Sequence, residues 1–330
     1  MSLKGLFGNV KRRLGQEIYR RFPKLIGYFG FSGSLIIEPT NTCNLKCPVC
    51  PTSQNMKRPK GLMGIEDFNN ILNQVSDIVN LINFGFSGEP LLNRHIFKMV
   101  KSAESRNIET SISTNTTFLH NYFEQVFDSN LSNLIVCLDG VTPDAHEAYR
   151  IGSDFYRIRE NIIEICRLKR MKKAKKPLII LQFLVMKQNE HEVEAIKELS
   201  QQWSVDRLVL KTFSLGSWLG KSEKYKVAQK YLPKQKKYQR FTIKNGGISV
   251  ASRPPFCPWL RQSVIYWNGD VTMCCYDFNG EMVVGNVFSG ENFKTIWRSH
   301  RYLEVRRKVL KNEYKLCQMC NLTSNYTIMD

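Results

Sequence analysis

Three cysteines, Cys43, Cys47 and Cys50, follow the apolar run at residues 35–37 with the spacing C-x3-C-x2-C. Three thiolates are one fewer than the four that complete a protein-bound 4Fe–4S cluster, so one iron stays open to a ligand that is not protein. A structural zinc site is closed by a fourth Cys or His, and the nearest downstream histidines form no compact pair. The spacing therefore favours an open iron–sulfur cluster over structural zinc or incidental cysteines.

The segment at residues 38–51, EPTNTCNLKCPVCP, resembles the signature of radical S-adenosylmethionine (SAM) enzymes. The resemblance implies that SAM binds the open iron through its amino and carboxylate groups. It also implies that electron transfer from the reduced cluster cleaves SAM to a 5′-deoxyadenosyl radical. The resemblance extends to about residue 321, and one departure is Val49, where the family commonly has an aromatic residue.

The composition is that of a packed protein, with 42% hydrophobic and 11% aromatic residues in 330. No apolar stretch approaches the roughly 18 residues that span a bilayer, and the N-terminus lacks the apolar core of a signal peptide. We therefore expect a cytoplasmic protein, in which grouped cysteines bind metal. Of the ten cysteines, only Cys137 and Cys166 fall outside the groups at residues 43–50 and 257–320, and both are expected to be small buried hydrophobic residues.

The net charge of +19 arises from 48 Lys and Arg residues against 29 Asp and Glu residues. Such a charge favours anionic partners, namely phosphorylated metabolites, an anionic membrane surface or nucleic acid. A solvated basic surface explains the same charge. Nucleic acid is disfavoured because the chain has no RNA-binding motif, but the charge keeps it open.

The predicted fold class is α/β, with a partial (β/α)6 TIM-like barrel and a small C-terminal cysteine-rich iron–sulfur module. Strand-like and helix-like segments alternate from residue 34 to about residue 214, which indicates parallel β/α packing. Ligands of such barrels bind at the carboxyl ends of the strands. Strands are predicted at 35–38, 81–85, 109–114, 133–138, 178–186 and 207–213, and helices at 65–79, 95–106, 121–127, 155–172 and 190–203.

Three segments flank the predicted barrel at 34–214. Residues 1–33 are predicted to form a basic amphipathic leader, which either caps the barrel or serves as an interfacial anchor or substrate-guiding arm. Residues 215–252 show no clear periodicity and are predicted to be a partly irregular bridge. Residues 253–330 are predicted to be the cysteine-rich module, with a hairpin that turns at Asn268-Gly269.

Polar motifs follow several predicted strands. Ser87-Gly88-Glu89-Pro90 resembles the family's glycine–glycine–glutamate–proline motif, which holds the SAM amino group, with Ser87 in place of the first glycine. Ser113 and Asn115 resemble the polar strand end that faces the methionine and ribose of SAM. Arg150 resembles the arginine that meets the SAM carboxylate, a role suited to a guanidinium. An ordinary loop and an exposed helix-end arginine are the alternatives.

Cys137 stands before Leu-Asp-Gly, where related sequences usually have serine. The position implies that its thiol faces the barrel lumen beside SAM. We expect a packed strand cysteine, and a thiol that donates a hydrogen atom to a substrate radical is the alternative. No residue is assigned as a catalytic acid or base.

A second set, Cys257, Cys274, Cys317 and Cys320, supplies the four thiolates that close a 4Fe–4S cluster. It resembles the SPASM/twitch domains of radical SAM enzymes. Full SPASM domains carry seven cysteines and two auxiliary clusters, and here the cysteines suffice for one. Cys275 is an alternative ligand to Cys274, zinc is the rival metal, and a purely structural role is the rival function.

Together these features predict a radical SAM enzyme with SAM and two 4Fe–4S clusters. A cluster without an open iron suits electron transfer, which favours net oxidation, such as dehydrogenation or cross-linking. The predicted substrate is a small, anionic or sugar-type metabolite, because a peptide-recognition domain would not fit in the 33-residue leader. Modification of a ribosomal peptide or protein, RNA modification and a non-catalytic iron–sulfur scaffold are the alternatives. The expected protein partner is an electron donor such as flavodoxin or ferredoxin.

Overall fold

The computed structural model of the chain describes residues 30–54, 56–215, 219–244, 247–250, 257–318, 320, 322 and 327–328. The predicted leader at residues 1–33 therefore lies almost entirely outside the described residues. None of the helices within these ranges combines the length and apolar character that a membrane crossing needs.

Strands β1 to β6 form a parallel sheet in which each strand pairs with the next in sequence. The side chains of each strand alternate between its two faces, and in β1 both Leu35 and Ile37 are fully buried. The strands are β1 Ser34–Ile37, β2 Leu81–Phe84, β3 Glu109–Thr114, β4 Asn133–Cys137, β5 Leu178–Val185 and β6 Arg207–Thr212.

Helices α1 to α7 lie on the crossovers that parallel neighbouring strands require. In α2, Phe68, Ile71, Leu72 and Val75 recur at helical spacing and are all buried, so one face of this helix packs on the core. The helices are α1 Pro51–Gln54, α2 Ile65–Val75, α3 Ile96–Glu104, α4 Phe123–Asp128, α5 Pro143–Glu147, α6 Phe155–Met171 and α7 Val193–Gln202.

The α/β fold class and the partial barrel are confirmed. Every predicted strand of the barrel agrees with the structure to within one residue at each end. The helices agree less closely. Helix α2 ends four residues before the predicted end, because residues 76–78 form a turn and the N–H of Asn80 donates to the carbonyl of Gly33 ahead of β1. The predicted helices at 121–127 and 190–203 each begin as a 3₁₀ turn, at Leu119–Tyr122 and Glu190–Glu192.

The predicted, partly irregular bridge at residues 215–252 contains regular elements within its described residues. It contains helix α8 Lys221–Tyr231 and the hairpin of β7 Phe241–Lys244 with β8 Gly247–Val250. Ala228, Tyr231 and Phe241 are buried in a core cluster that also holds Leu45 and Val49 of the first cysteine loop. The bridge therefore covers that loop. Its apolar face is small, which explains why no periodicity is visible in the sequence.

The C-terminal module continues the main sheet. β9 Ser263–Ile265 pairs in parallel with β1, and β10 Asp270–Thr272 and β11 Val283–Asn286 follow as antiparallel strands. β12 Thr327–Ile328 pairs with β6 at the opposite edge. These strands form one open sheet in the order β11-β10-β9-β1-β2-β3-β4-β5-β6-β12. The predicted hairpin is confirmed, with Gly269 at a φ of +85°. The remaining helices are α9 Phe293–Arg298, α10 His300–Leu310 and α11 Lys315–Gln318.

A buried ion pair joins the barrel to this module. Glu38, directly after β1, accepts two hydrogen bonds from the guanidinium of Arg58, at 2.9 and 2.7 Å. The side chains of Arg58 and Glu38 are only 8% and 0% exposed. Arg58 also donates to the carbonyl of Phe278 at 2.7 Å and lies 3.7 Å from the centre of the Tyr266 ring. One guanidinium therefore connects the start of the first cysteine loop to the hairpin of the module.

Replacing Arg58 by Met should lower the free energy of unfolding by about 3–5 kcal/mol, because the Glu38 carboxylate is left buried without its counter-charge. The matched control is Arg157→Met, which breaks an exposed pair with Asp154 whose side chains are 55% and 53% exposed. That control should change the free energy by about 0.5 kcal/mol or less. Anaerobic urea denaturation of the reconstituted protein measures both, and equal losses would contradict the assignment.

Candidate functional site

The three cysteines of the first set lie on the loop between β1 and α1. The backbone N–H of Cys50 donates to the carbonyl of Cys47 at 3.1 Å, and α1 starts directly after Cys50. Burial raises the pKa of Cys43, and it raises that of Cys47 to about 12. Each of these two thiols is also within electrostatic reach of Cys50. Three thiolates this close together need a strong positive counter-charge, which bound iron supplies.

Both cysteine sets offer thiol sulfurs as donor atoms. Within the described residues, no three His, Cys, Asp or Glu side chains converge as ligands of one metal ion. The thiolates of a cubane cluster bind separate irons, so they do not have to converge on one atom. The sulfur donors of both sets are those that iron–sulfur clusters use.

Gly88 is required by the close approach of two loops. Its φ is +78°, and a Cβ atom there would lie 2.4 Å from the carbonyl oxygen of Thr40 and 2.8 Å from that of Thr42. The N–H of Gly88 donates to the hydroxyl of Thr52 at 3.1 Å, and that of Glu89 donates to the carbonyl of Thr42 at 2.8 Å. The motif at residues 87–90 thus packs directly against the first cysteine loop.

Glu89 connects this motif to the end of β3. Its carboxylate accepts hydrogen bonds from the Thr114 hydroxyl at 2.6 Å, the Asn115 N–H at 2.7 Å and the Leu91 N–H at 3.1 Å. Burial raises the pKa of Glu89, and these bonds oppose that rise. Both carboxylate oxygens therefore have protein donors. The predicted contact of Gly88, Glu89 and Pro90 with the SAM amino group stays a prediction.

Asn115 lies against the first cysteine set. Its Nδ2 donates to the Asn44 side chain at 2.8 Å and lies 3.8 Å from the sulfur of Cys43. Ser113 is exposed on the same strand end, with its hydroxyl beside the Cys137 thiol. The structure therefore brings Asn115 to the cluster loop and Ser113 to the β4 side of the lumen. Their predicted contacts with the methionine and ribose of SAM remain predictions.

Arg150 is fixed through one side of its guanidinium. Its Nε donates to the buried carboxylate of Asp139 at 2.6 Å, and the other oxygen of Asp139 accepts from the N–H of Leu184 at 2.8 Å. Among the described residues, no other hydrogen bond holds the Arg150 side chain. The N–H groups of its two Nη atoms are therefore available as donors to a ligand. Arg150 is also within electrostatic reach of Cys47 and Cys137. An anchored guanidinium beside the cluster loop suits a carboxylate ligand, and the role itself remains a prediction.

His146 supports the turn that carries Asp139. Its Nδ1 accepts from the N–H of Asp139 at 3.0 Å, and burial lowers its pKa to about 4. The imidazole is therefore neutral near pH 7. Its sequence position four residues before Arg150 gave no indication of this role.

Cys137 ends β4 as a buried thiol. Burial raises its pKa to about 11, and the side-chain amide of Gln182 donates to its sulfur at 3.5 Å. Lys211 of β6 is within electrostatic reach of the same sulfur. The thiol therefore faces the lumen, as the sequence predicts, and it is held in its neutral form.

The second cysteine set gathers residues that are far apart in the chain. Cys257 is within electrostatic reach of Cys274, Cys317 and Cys320, and Cys275 is within reach of Cys257, Cys274 and Cys320. Burial raises the pKa of Cys257, and it raises that of Cys317 to about 12. The Cys274 sulfur accepts from the N–H of Tyr276 at 3.4 Å. All four predicted ligands thus lie in one group, with Cys275 beside them.

Residues 37–200 match the family model of the radical SAM superfamily, and residues 257–321 match that of the SPASM iron–sulfur cluster-binding domain. The chain belongs to the radical SAM superfamily. The protein is therefore an enzyme, and its cofactors are SAM and 4Fe–4S clusters. The boundaries of both matches agree with the positions of the two cysteine sets.

Several known proteins are similar over most of the chain. One is the tungsten-containing aldehyde ferredoxin oxidoreductase cofactor-modifying protein of Pyrococcus furiosus, which is 24% identical over 319 residues with 87% of each chain covered. BtrN in complex with AdoMet and 2-DOIA has a TM-score of 0.54 at 18% identity, covering 90% of this chain and 98% of that chain. Streptococcus suis SuiB bound to precursor peptide SuiA has a TM-score of 0.61 at 16% identity, covering 89% and 72%. At these identities the two structures show a shared fold.

Replacing Cys43, Cys47 and Cys50 together by Ala should lower the iron content of the reconstituted protein from about eight to about four per chain. The remaining spectrum should no longer respond to SAM, because the open iron is lost. Replacing Cys317 and Cys320 should remove the other half of the iron and leave a spectrum that responds to SAM. Anaerobic iron analysis and electron paramagnetic resonance measure both effects.

Cys166→Ala is the matched control, because Cys166 packs in α6 against the main core and belongs to neither set. It should keep the full iron content. Cys274→Ala and Cys275→Ala, tested separately, identify the ligand, and we expect iron loss from the first. Full iron content in the triple variant at residues 43, 47 and 50 would refute the assignment.

Replacing Arg150 by Lys should weaken SAM binding to the reconstituted protein by about tenfold or more, because lysine keeps the charge but loses the Nε anchor to Asp139 and the second donor. Equilibrium binding of SAM under anaerobic conditions measures the change. Arg157→Lys, on the exposed surface of α6, should leave the affinity unchanged. Equal affinity in the two variants would argue against a SAM contact.

Proposed function

We propose that this radical SAM enzyme abstracts a hydrogen atom from a C–H bond of a small, anionic or sugar-type metabolite, in a net oxidation. When bound, SAM and the reduced first cluster supply a 5′-deoxyadenosyl radical as the abstracting group. The chain's own residues hold the cofactors, shield the radical from water and accept the substrate at the carboxyl ends of the strands.

The observation that carries this proposal is the position of the second cysteine set against the end of β6. Arg240 donates to the hydroxyl of Thr212, the last residue of β6, at 3.1 Å and is within electrostatic reach of Cys275 and Cys320. Lys211, one residue earlier, is within reach of both Arg240 and Cys137. A short series of side chains thus connects the second cysteine set to the lumen beside the first set.

This arrangement suits a two-step oxidation. The substrate loses a hydrogen atom to the adenosyl group, and its radical then loses one electron and one proton. The second cysteine set would hold an all-cysteine 4Fe–4S cluster near the lumen, and that cluster would supply an acceptor for the electron, with SAM as the net oxidant. A flavodoxin or ferredoxin in the cytoplasm would supply the priming electron.

Two relatives support a small substrate. The Pyrococcus furiosus protein, which aligns over 87% of each chain, is named as cofactor-modifying. BtrN, with AdoMet and 2-DOIA bound, is covered over 98% of its length. Peptide modification is the alternative, and it is supported by SuiB bound to its precursor peptide. RNA modification and contact with an anionic membrane surface rest only on the net charge of +19.

The test is anaerobic incubation of the reconstituted enzyme with reductant, SAM and panels of phosphorylated sugars, peptides and RNA. We expect 5′-deoxyadenosine from the enzyme, with a rise above the uncoupled background only in the first panel. With the true substrate, Cys317→Ala/Cys320→Ala should lower the yield of oxidised product per 5′-deoxyadenosine, because the electron acceptor is removed. An unchanged ratio would refute the relay, and no 5′-deoxyadenosine from any variant or panel would refute the proposed function.

A further inference from the structure

Arg240 is a buried cation at the carboxyl end of β6. Arg240 is only 6% exposed, and its guanidinium donates hydrogen bonds to the hydroxyls of Thr212 and Tyr276. Among the described residues, no carboxylate forms an ion pair with it. Burying a charge without an opposite charge is unfavourable, so this position is suited to an anionic group that is not a side chain.

Further donors surround this guanidinium. The hydroxyl oxygen of Ser214 is buried beside the hydroxyl of Tyr276. Lys211 is half-buried and interacts electrostatically with both Arg240 and Cys137. A guanidinium, an ammonium and two hydroxyls are the donors that proteins use to bind phosphate and carboxylate groups.

Two anions are candidates for this position. One is the second cluster, because Cys275 and Cys320 lie within electrostatic reach of Arg240. The other is a charged group of the substrate. The second accounts for more of the set, because Lys211 of β6 interacts electrostatically with Cys137 of β4 as well as with Arg240.

We propose that Arg240, Lys211, Ser214 and Tyr276 form a subsite for an oxyanion group of the substrate, a phosphate or a carboxylate. The subsite places that group between the two cysteine sets, so that the rest of the substrate extends toward Cys137 and the first set. This inference rests on the proposed function, in that it takes the lumen as the place where the substrate reacts.

The experiment measures anion binding without turnover. The reconstituted enzyme with SAM bound is titrated calorimetrically with inorganic phosphate and, separately, with acetate. At least one of the two should bind at one site per chain, and Arg240→Gln should weaken that binding by about tenfold or more. Lys211→Gln should weaken it less, because one ammonium contributes fewer directed hydrogen bonds than a guanidinium.

The matched control is Arg306→Gln. Arg306 is also a buried arginine, but it stacks between Trp297 and Tyr302, at 3.9 Å from each ring centre, outside the proposed subsite. Its replacement should leave anion affinity unchanged. If Arg240→Gln does not fold, Arg240→Lys and Lys211→Gln carry the test.

Three results would overturn the subsite. The first is that neither anion binds, and the second is that wild type and Arg240→Gln bind the anion equally well. The third is that Arg240→Gln shifts the reduction potential of the second cluster without changing the anion affinity. The last would make Arg240 the counter-charge of that cluster. Cleavage of SAM by the wild-type enzyme is measured separately, so a failure of the proposed function remains distinguishable from a failure of this inference.

Discussion

The arrangement of both cysteine sets depends on one buried carboxylate, that of Glu38. It lies at the point where β1 ends and the first cysteine loop begins, and it is fully buried. Arg58 neutralises it, and the Ser87 hydroxyl also donates to it, which explains the serine found in place of the motif's first glycine. The same guanidinium contacts Tyr266 and Phe278 of the C-terminal module. A carboxylate buried this deeply requires all its partners, so the loop, the motif and the module are held as one unit.

Glu89 acts in the same way one strand further along. Its carboxylate joins the motif to Thr114 and Asn115 at the end of β3. The first cysteine loop has little regular secondary structure, so its conformation depends on such side-chain contacts with neighbouring strand ends. Two buried carboxylates, each with several donors, thus position a loop that must present its sulfur atoms in a fixed arrangement. The strands supply the rigid support, and the loops supply the ligands.

Local patterns in the sequence predict much of this structure. Alternating apolar residues define the barrel strands, and the spacing of the cysteines identifies the first set, because both signals lie within short segments. The contacts that organise the site are long-range. Arg58 and Glu38 are 20 residues apart, and Arg240 and Thr212 are 28 apart. Arg240 also lies in a Lys- and Gln-rich stretch without periodicity, so neither its burial nor its partners could be inferred before the fold was known.

The location of the charges is more informative about the substrate than their sum. Exposed ion pairs such as Lys172 with Glu124 lie in water. There, salt at 0.1 M ionic strength screens each charge beyond a distance of about 10 Å. Inside the protein, Arg58 has Glu38 and Arg150 has Asp139, so their charges are neutralised. Arg240 and Arg306 have no such partner among the described residues, but Arg306 is stacked between the rings of Trp297 and Tyr302. In the proposed subsite this buried guanidinium of Arg240 would bind a small anion that enters the lumen, whereas a large polyanion such as RNA would mainly contact the screened surface. The internal charge is therefore consistent with the proposed small anionic substrate.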